Sequence, residues 1–405
     1  MVQSRTLLVV AGTTLGFVTS ALAGNNDLVA DAGARVSYQG GGSYSGNGFN
    51  IADASGDNRL TLGGAVQTRF NINSRDDGAV GDQDDLTTGF ENSLVRFRAS
   101  GTVVTRQLGY KVQMTFSGSD GVGAVDDAYG TWDFGNGWQA KWGQFNLPVV
   151  REIMIGAEDH LGTDFSVTSL FFGQGYSQGL QFGYTDAMWR AMFAFSDGAG
   201  TANTNFDSGS EADYAISARV EGLVVGSDWE RFNNYTSWQS TSGDGMLLGG
   251  AVHFQDGGET GGTSDTQVLI YTIDGQWEGP GYNITGVLYG ANTDTGGGAD
   301  RSDFGAMLQG GFFFSNQVEG FARYEGFFLD DDFATADNVN FLFGGINYYI
   351  SQESNAAKFT AQIGYAFDDT SDVFGGPLNG SYNNGFLGQT EDGEVALQAQ
   401  MQIVF

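Results

Sequence analysis

The chain has 405 residues, with 17 Lys and Arg against 48 Asp and Glu and a net charge of −31. That acidic balance excludes a protein that holds nucleic acid by its phosphates, and the absence of cysteine excludes disulfides and thiolate metal sites. The 65 glycines follow neither a collagen period nor a calcium-binding nonapeptide repeat.

In chain order, Met1-Val-Gln-Ser-Arg5 leads into an apolar run from Leu7 to Val18, then Ala21-Leu22-Ala23 before Gly24. A basic start, a short apolar core and small residues at a cleavage site predict a secretory signal over 1–23. A spanning anchor needs about 20 apolar residues, and Thr13, Thr14, Thr19 and Ser20 interrupt the run. Residues 24–58 are polar and Gly-rich, as in Gly40-Gly-Gly-Ser-Tyr-Ser-Gly-Asn-Gly48, and predict a flexible lead-in.

From Leu60 onward, alternating segments follow one another to the end. Leu60, Leu62, Val66, Phe70 and Ile72 alternate with Thr61, Gln67, Arg69 and Asn71. Next, Val95, Phe97, Ala99 and Val103 stand against Arg96, Arg98, Ser100 and Thr102; Tyr110, Val112, Met114 and Phe116 stand against Lys111, Gln113, Thr115 and Ser117. Similar segments are predicted near 126–134, 138–145, 178–185, 187–196, 214–225, 246–255, 266–276, 282–290, 303–314, 318–327, 339–350 and 357–367. The last strand, Glu394 to Phe405, keeps a two-residue period to the final aromatic. A soluble chain end is usually frayed and polar. A membrane barrel instead needs a last strand that is apolar outside, polar inside and paired to the first. The pattern predicts an all-β transmembrane antiparallel barrel of 16 strands over 59–405.

The connections carry an independent signal. Short ones (105–107, 135–137, 186, 315–317, 351–356) alternate with long acidic Gly-rich ones (74–89, 146–177, 197–213, 291–302, 328–338, 368–393). Short periplasmic turns and long external loops are the outer-membrane pattern, and an even strand count puts both termini on the periplasmic side. The 226–245 connection breaks this order: it is long on the short side and holds Trp229, Phe232, Tyr235 and Trp238. It is a small cap or a missed strand pair. Pro148, Pro280 and Pro377 all fall in connections, as an unbroken ladder requires. A soluble sandwich of this length would divide into linked domains, and no linker follows residue 58.

Leu60-Thr-Leu-Gly-Gly64 with Gln67, Val95-Arg-Phe-Arg98 with Gly101, and Leu108-Gly-Tyr-Lys-Val-Gln113 with Phe116-Ser117 follow in order. Asp127-Ala-Tyr129, Gly143-Gln-Phe145, Pro148 and Arg151-Glu152 come next, then Phe321-Ala-Arg-Tyr-Glu325, Asn347-Tyr-Tyr349 and Gly364-Tyr365. This series resembles the phosphate-selective porin O and P family over nearly all of 49–405, most densely in the first third. The resemblance implies a homotrimeric outer-membrane channel of 16 strands, a third loop folded inward, and a lumen of arginines and lysines passing phosphate-like anions.

Arg69, Arg96, Arg98, Lys111, Lys141, Arg190, Arg219, Arg323 and Lys358 fall on the polar parity of their strands, and Arg151 lies in the third long loop. A lipid-facing charge costs roughly 2–4 kcal/mol at mid-membrane, so inward placement is forced. Two roles remain open for these ten bases. They line a pore and strip water from an anion stepwise, or they pair with Asp127, Glu221, Glu319, Glu325 and Glu394 and brace the wall. The third loop also holds Glu158, His160 and Asp164, and its Phe165, Leu170, Phe171 and Phe172 predict packing against the inner wall. With two histidines, His160 and His253, and no nucleophile signature, no catalytic or metal centre and no cofactor are expected. The acidic loops, such as Asp330-Asp-Asp332, repel anions at low salt or bridge divalent cations to membrane lipid. Trp132, Trp138 and Trp142 are expected on the outer face, between protomers or in an interfacial girdle. The partners expected are small anions or other small solutes and outer-membrane lipid. The rival to a porin is an adhesive surface protein acting through its loops.

Overall fold

The computed structural model describes residues 48–405 except 76–85, 119, 207, 258–265, 295–299, 333, 335, 337 and 374–383. The predicted signal and most of the lead-in lie outside the described residues. The sixteen barrel strands are β2 (Arg59–Ser74), β3 (Leu86–Val103), β4 (Thr105–Phe116), β5 (Gly123–Gly135), β6 (Trp138–Asn146), β7 (Tyr176–Thr185), β8 (Trp189–Ser196), β9 (Tyr214–Val225), β10 (Gly245–Asp256), β11 (Gln267–Gly279), β12 (Tyr282–Asp294), β13 (Arg301–Ser315), β14 (Val318–Phe328), β15 (Asn338–Ser351), β16 (Ser354–Ala366) and β17 (Val395–Val404). Each is antiparallel to the next, and β17 closes the ring on β2 from Val395↔Ser74 to Val404↔Ala65. Closure satisfies every edge, which hydrocarbon surroundings demand. The fold is a closed 16-stranded antiparallel barrel, as the alternation predicts.

The outward parity carries the apolar belt: Ile273, Leu288, Leu308, Phe312 and Ile346 are more than half exposed. So much bare apolar surface fits a lipid solvent, since soluble monomers rarely show patches beyond a few hundred Å². Trp138 and Trp142 stand on this face. The turn between β5 and β6 places Asn136 and Gly137 at φ 52° and 86°, as a two-residue hairpin turn requires.

Three expectations need correction. Phe49–Ala52 forms a short strand, β1, on the first residues of β2, with Phe49↔Leu62 and Ala52↔Arg59. It takes the place beside β2 that β17 is too short to reach, since Phe405 already sits opposite Gly64. The connection expected over 74–89 is shorter, because β3 begins at Leu86. Most consequentially, the inward parity is not polar all round. Val268, Ile270, Val287, Tyr289, Met307, Phe327, Val339, Phe341 and Phe343 face inward and are buried in one cluster inside the barrel. These strands are apolar on both faces because something fills the lumen beside them.

Candidate functional site: the lumen and its third loop

The filling is loop 3, residues 147–175. Leaving β6 at Asn146, it makes short helical turns at Arg151–Met154, Ala157–Asp159 and Val167–Phe171, the last capped by the Ser166 hydroxyl accepting from the Ser169 amide. Val149, Val150, Val167, Phe171 and Phe172 join the apolar cluster. The Phe172 ring stacks on Tyr289 at 5.2 Å, and Phe171 meets Phe327 edge-on at 5.4 Å. The packing side predicted from Leu170, Phe171 and Phe172 is therefore the docked side; Phe165 packs instead on the His160 ring at 4.4 Å.

Wall donors and acceptors hold the loop backbone all the way down. Arg219 Nη1 donates to the Val149 carbonyl at 2.9 Å, Lys358 Nζ to the His160 carbonyl at 2.6 Å and Arg69 Nη2 to the Thr163 carbonyl at 2.6 Å. Asn347 reaches the Leu161 carbonyl, Gln402 the Glu158 carbonyl, and Glu325 accepts the Thr168 amide at 2.7 Å.

All ten predicted bases point into the barrel, and nine are engaged by protein groups. Arg219 lies between Glu221 (2.9 Å) and Asp274 (2.7 Å); Arg151 and Arg190 share the same Glu221 at 3.0 and 3.4 Å. Arg323 contacts Glu325 at 2.7 Å and donates to the Asp164 carbonyl. Arg69 pairs with Asp164 at 3.3 Å. Arg96 meets Glu158 at 3.2 Å, Arg98 meets the same carboxylate, and Lys111 meets Asp127 at 2.7 Å. Lys358 is fully buried on the loop carbonyl. Lys141 is different: its ammonium lies over the Tyr129 and Phe145 rings at 4.9 and 5.1 Å, and among the described residues it has no carboxylate within 4.0 Å and no hydrogen bond. Of the acids predicted as braces, Asp127, Glu221 and Glu325 meet bases. Glu319 binds Asn347 and Tyr349, and Glu394 binds Asn73 and Thr370.

Burial divides these bases by position. Arg69, Arg219, Arg323 and Lys358 are buried behind loop 3 and Arg151 is buried on the loop itself, whereas Lys111 and Arg190 keep 30% and 23% of their side chains exposed. The partly exposed bases lie along β3–β8: Arg96, Arg98, Lys111, Lys141 and Arg190, with Asp126 among them. Loop 3 contributes the partly exposed Asp164, Ile153 and Met154.

The loop carboxylates have divided states. Burial pushes Glu158 upward, but the two guanidiniums of Arg96 and Arg98 outweigh it and hold the group below its usual range. Its neighbour Asp159 is pushed up to about 7 by burial and by the Glu158 charge, against one hydrogen bond from Asn355. Glu152 is fully buried, which raises it. It nevertheless sits at about 2, because it is bonded by His160 and Ser166 and feels Arg323. His160 is thus a partner of Glu152 at 3.3 Å. His253 accepts or donates with Ser217 at 2.8 Å and Gln255 at 3.0 Å, all buried.

The sequence missed the 226–244 segment as a part of the interior. Its aromatic residues were the available signal. It is no strand pair: a 3₁₀ turn at Glu230–Asn233 folds into the short-turn end, with Phe232 and Tyr235 buried.

No family model matches the chain, and no curated protein matches it. Solved structures do. The anion-selective porin from Comamonas acidovorans superposes with a TM-score of 0.60 at 15% identity, covering 85% of this chain and 99% of that one. The outer membrane channel DcaP of Acinetobacter baumannii gives 0.57 at 13% identity, over 87% and 99%. OprB of Pseudomonas putida gives 0.56 at 9% identity, over 85% and 94%. At such identities the likeness concerns architecture alone, and the architecture shared is the closed antiparallel barrel of porins.

Proposed function

We propose that the protein is an outer-membrane porin, exported by its leader and assembled as a homotrimer. In this reading small hydrophilic solutes diffuse along the strip between loop 3 and β3–β8, with a preference for anions. The observation that carries the anion preference is Lys141, a lumen cation that forms no ion pair among the described residues and stands beside Lys111, whose carboxylate partner is Asp127. Fields of such groups add where solvent is thin. Arg96 and Arg98 are occupied by Glu158, so a phosphate would have to displace a buried carboxylate there. This supports a general small-anion bias more than a phosphate site. Membership of a trimer is supported by the resemblance and by the outward tryptophans of β6.

The test is conductance of the purified protein in a planar bilayer, with reversal potential read in a salt gradient. Open channels with an anion-side reversal potential, moved toward cations by Lys141→Glu, are expected. A silent bilayer removes the porin reading; an unmoved potential removes Lys141 from it.

A further inference from the structure

Two segments enter the barrel from opposite ends and meet. Loop 3 descends from the long-loop end until Glu158 and Asp159 reach Asn355 and Gln402, near the short-turn ends of β16 and β17. The 226–244 segment rises from the short-turn end between β9 and β10. Its Tyr235 amide donates to the Asp159 carbonyl at 3.0 Å, and the Tyr235 ring packs on His160 at 5.3 Å. Arg151 of loop 3 donates to the Phe232 carbonyl. Tyr235 also shares a buried cluster with Ile155 and Leu161 of loop 3 and Phe321 of the wall.

The segment is itself tied to the wall on several sides. Arg231 pairs with Glu278 at 2.8 Å, Gln276 donates to the Asn234 carbonyl at 2.9 Å, and Thr236 meets Tyr349 at 3.2 Å. Trp238 packs on Tyr349 and Phe313, while the Trp229 indole donates to the Asp186 carbonyl under the Arg190 guanidinium. A turn joining two neighbouring strands needs only two residues. Here nineteen residues' worth of chain, 226–244, is spent on contacts that run to loop 3 and to β11–β15.

We infer that the 226–244 segment is a latch on loop 3: it holds the loop at Ile155, Asp159 and Leu161 and so fixes the width of the solute path along β3–β8. The inference rests on the proposed channel function but concerns which residues set its cross-section. The turns of loop 3 are short, and short isolated turns have little stability of their own. The latch supplies the apolar cover for Ile155 and Leu161 and the donor for the Asp159 carbonyl.

The experiment exploits the strand register. Val225 and Met246 are already paired, so removing 227–244 leaves Gly226-Gly245 as a two-residue hairpin turn of an accepted kind. Single-channel recording reads only molecules that have folded and inserted. Excision should raise conductance roughly twofold or more, since conductance follows pore cross-section, and should admit larger neutral polymers. A second, full-length variant, Phe232→Ala with Tyr235→Ala, should move both readings in the same direction by less. Wild-type conductance in either variant overturns the latch. If the wild type is silent and the excised form conducts, the open-porin reading fails while the latch stands. If both are silent, the latch is overturned as well.

Discussion

Along the first half of β15 the inward residues are Val339, Phe341 and Phe343; further round the ring, along β4, they include Lys111, Gln113 and Thr115. Both strands have period two, and both put one row toward the lumen. On β15 that row is buried against Phe327, Ala366 and Phe386, in the cluster that also takes in loop 3. On β4 Lys111 and Thr115 stay partly exposed, while Gln113 is buried on Asp126 and Tyr176. An apolar inward row therefore reports what is packed on it rather than which side of the wall it occupies. Charge follows the same division. Behind loop 3 the bases are locked between carboxylates and carbonyls, and removing one partner there leaves a buried charge uncompensated. Along the strip, pairs such as Lys111–Asp127 keep water on one side and contribute little.

The largest expected effect breaks the packed half. Arg219→Ala leaves Glu221 and Asp274 without their shared cation and should destabilise the folded barrel by about 3–5 kcal/mol. Lys111→Ala should change it by less than about 1 kcal/mol. Urea unfolding followed by tryptophan fluorescence checks both, and equal effects would dissolve the distinction between the halves. Phe172→Ala, which empties the stack on Tyr289, should cost about 3 kcal/mol. Most of that loss should fall on loop 3, so limited proteolysis should cut within 147–175 while the barrel stays intact; unchanged cleavage would show that the apolar cluster does not hold the loop.

A smaller, pH-linked effect belongs to Asp159. Its folded value near 7 lies above the ordinary 3.8, so the folded state holds a proton that the unfolded chain has released. Its contribution is complete below about pH 4, falls as pH rises to about 7 by at most about 1.4 kcal/mol per unit, and is flat above. Glu152 has the opposite sign: its value of about 2 gives stability present above pH 4.5 and lost only below it. In the window from 4.5 to 7 the Glu152 contribution is constant, and Asp159→Asn should reduce the slope of the stability profile there. A wild-type profile without that slope would contradict the assignment. The smallest effect is on the strip: Lys141→Ala should leave stability within about 0.5 kcal/mol and only weaken anion preference in reversal-potential measurements.

Alternation, the short and long connections and the terminal Phe405 were enough to predict sixteen antiparallel strands and the inward parity of the nine strand bases, while Arg151 was placed only in its loop. These are local consequences of a two-residue period and of the cost of charge in lipid. The aromatic side of loop 3 was also visible, since Leu170, Phe171 and Phe172 lie together in the chain. What the tertiary structure alone decided is which inward rows are wet. Nothing in Val339-Asn-Phe341-Leu-Phe343 distinguishes a lumen face covered by a loop from a strand apolar on both sides for another reason. Pairing was equally hidden: Arg98 and Glu158, or Arg219 and Asp274, are far apart in sequence and meet only because closure and loop insertion bring them within reach. The 226–244 segment shows the limit most plainly. Its aromatics marked it as something other than a turn, but its partners, Asp159 and Arg151, belong to a loop entering from the opposite end of the barrel, and only the closed ring brings the two together.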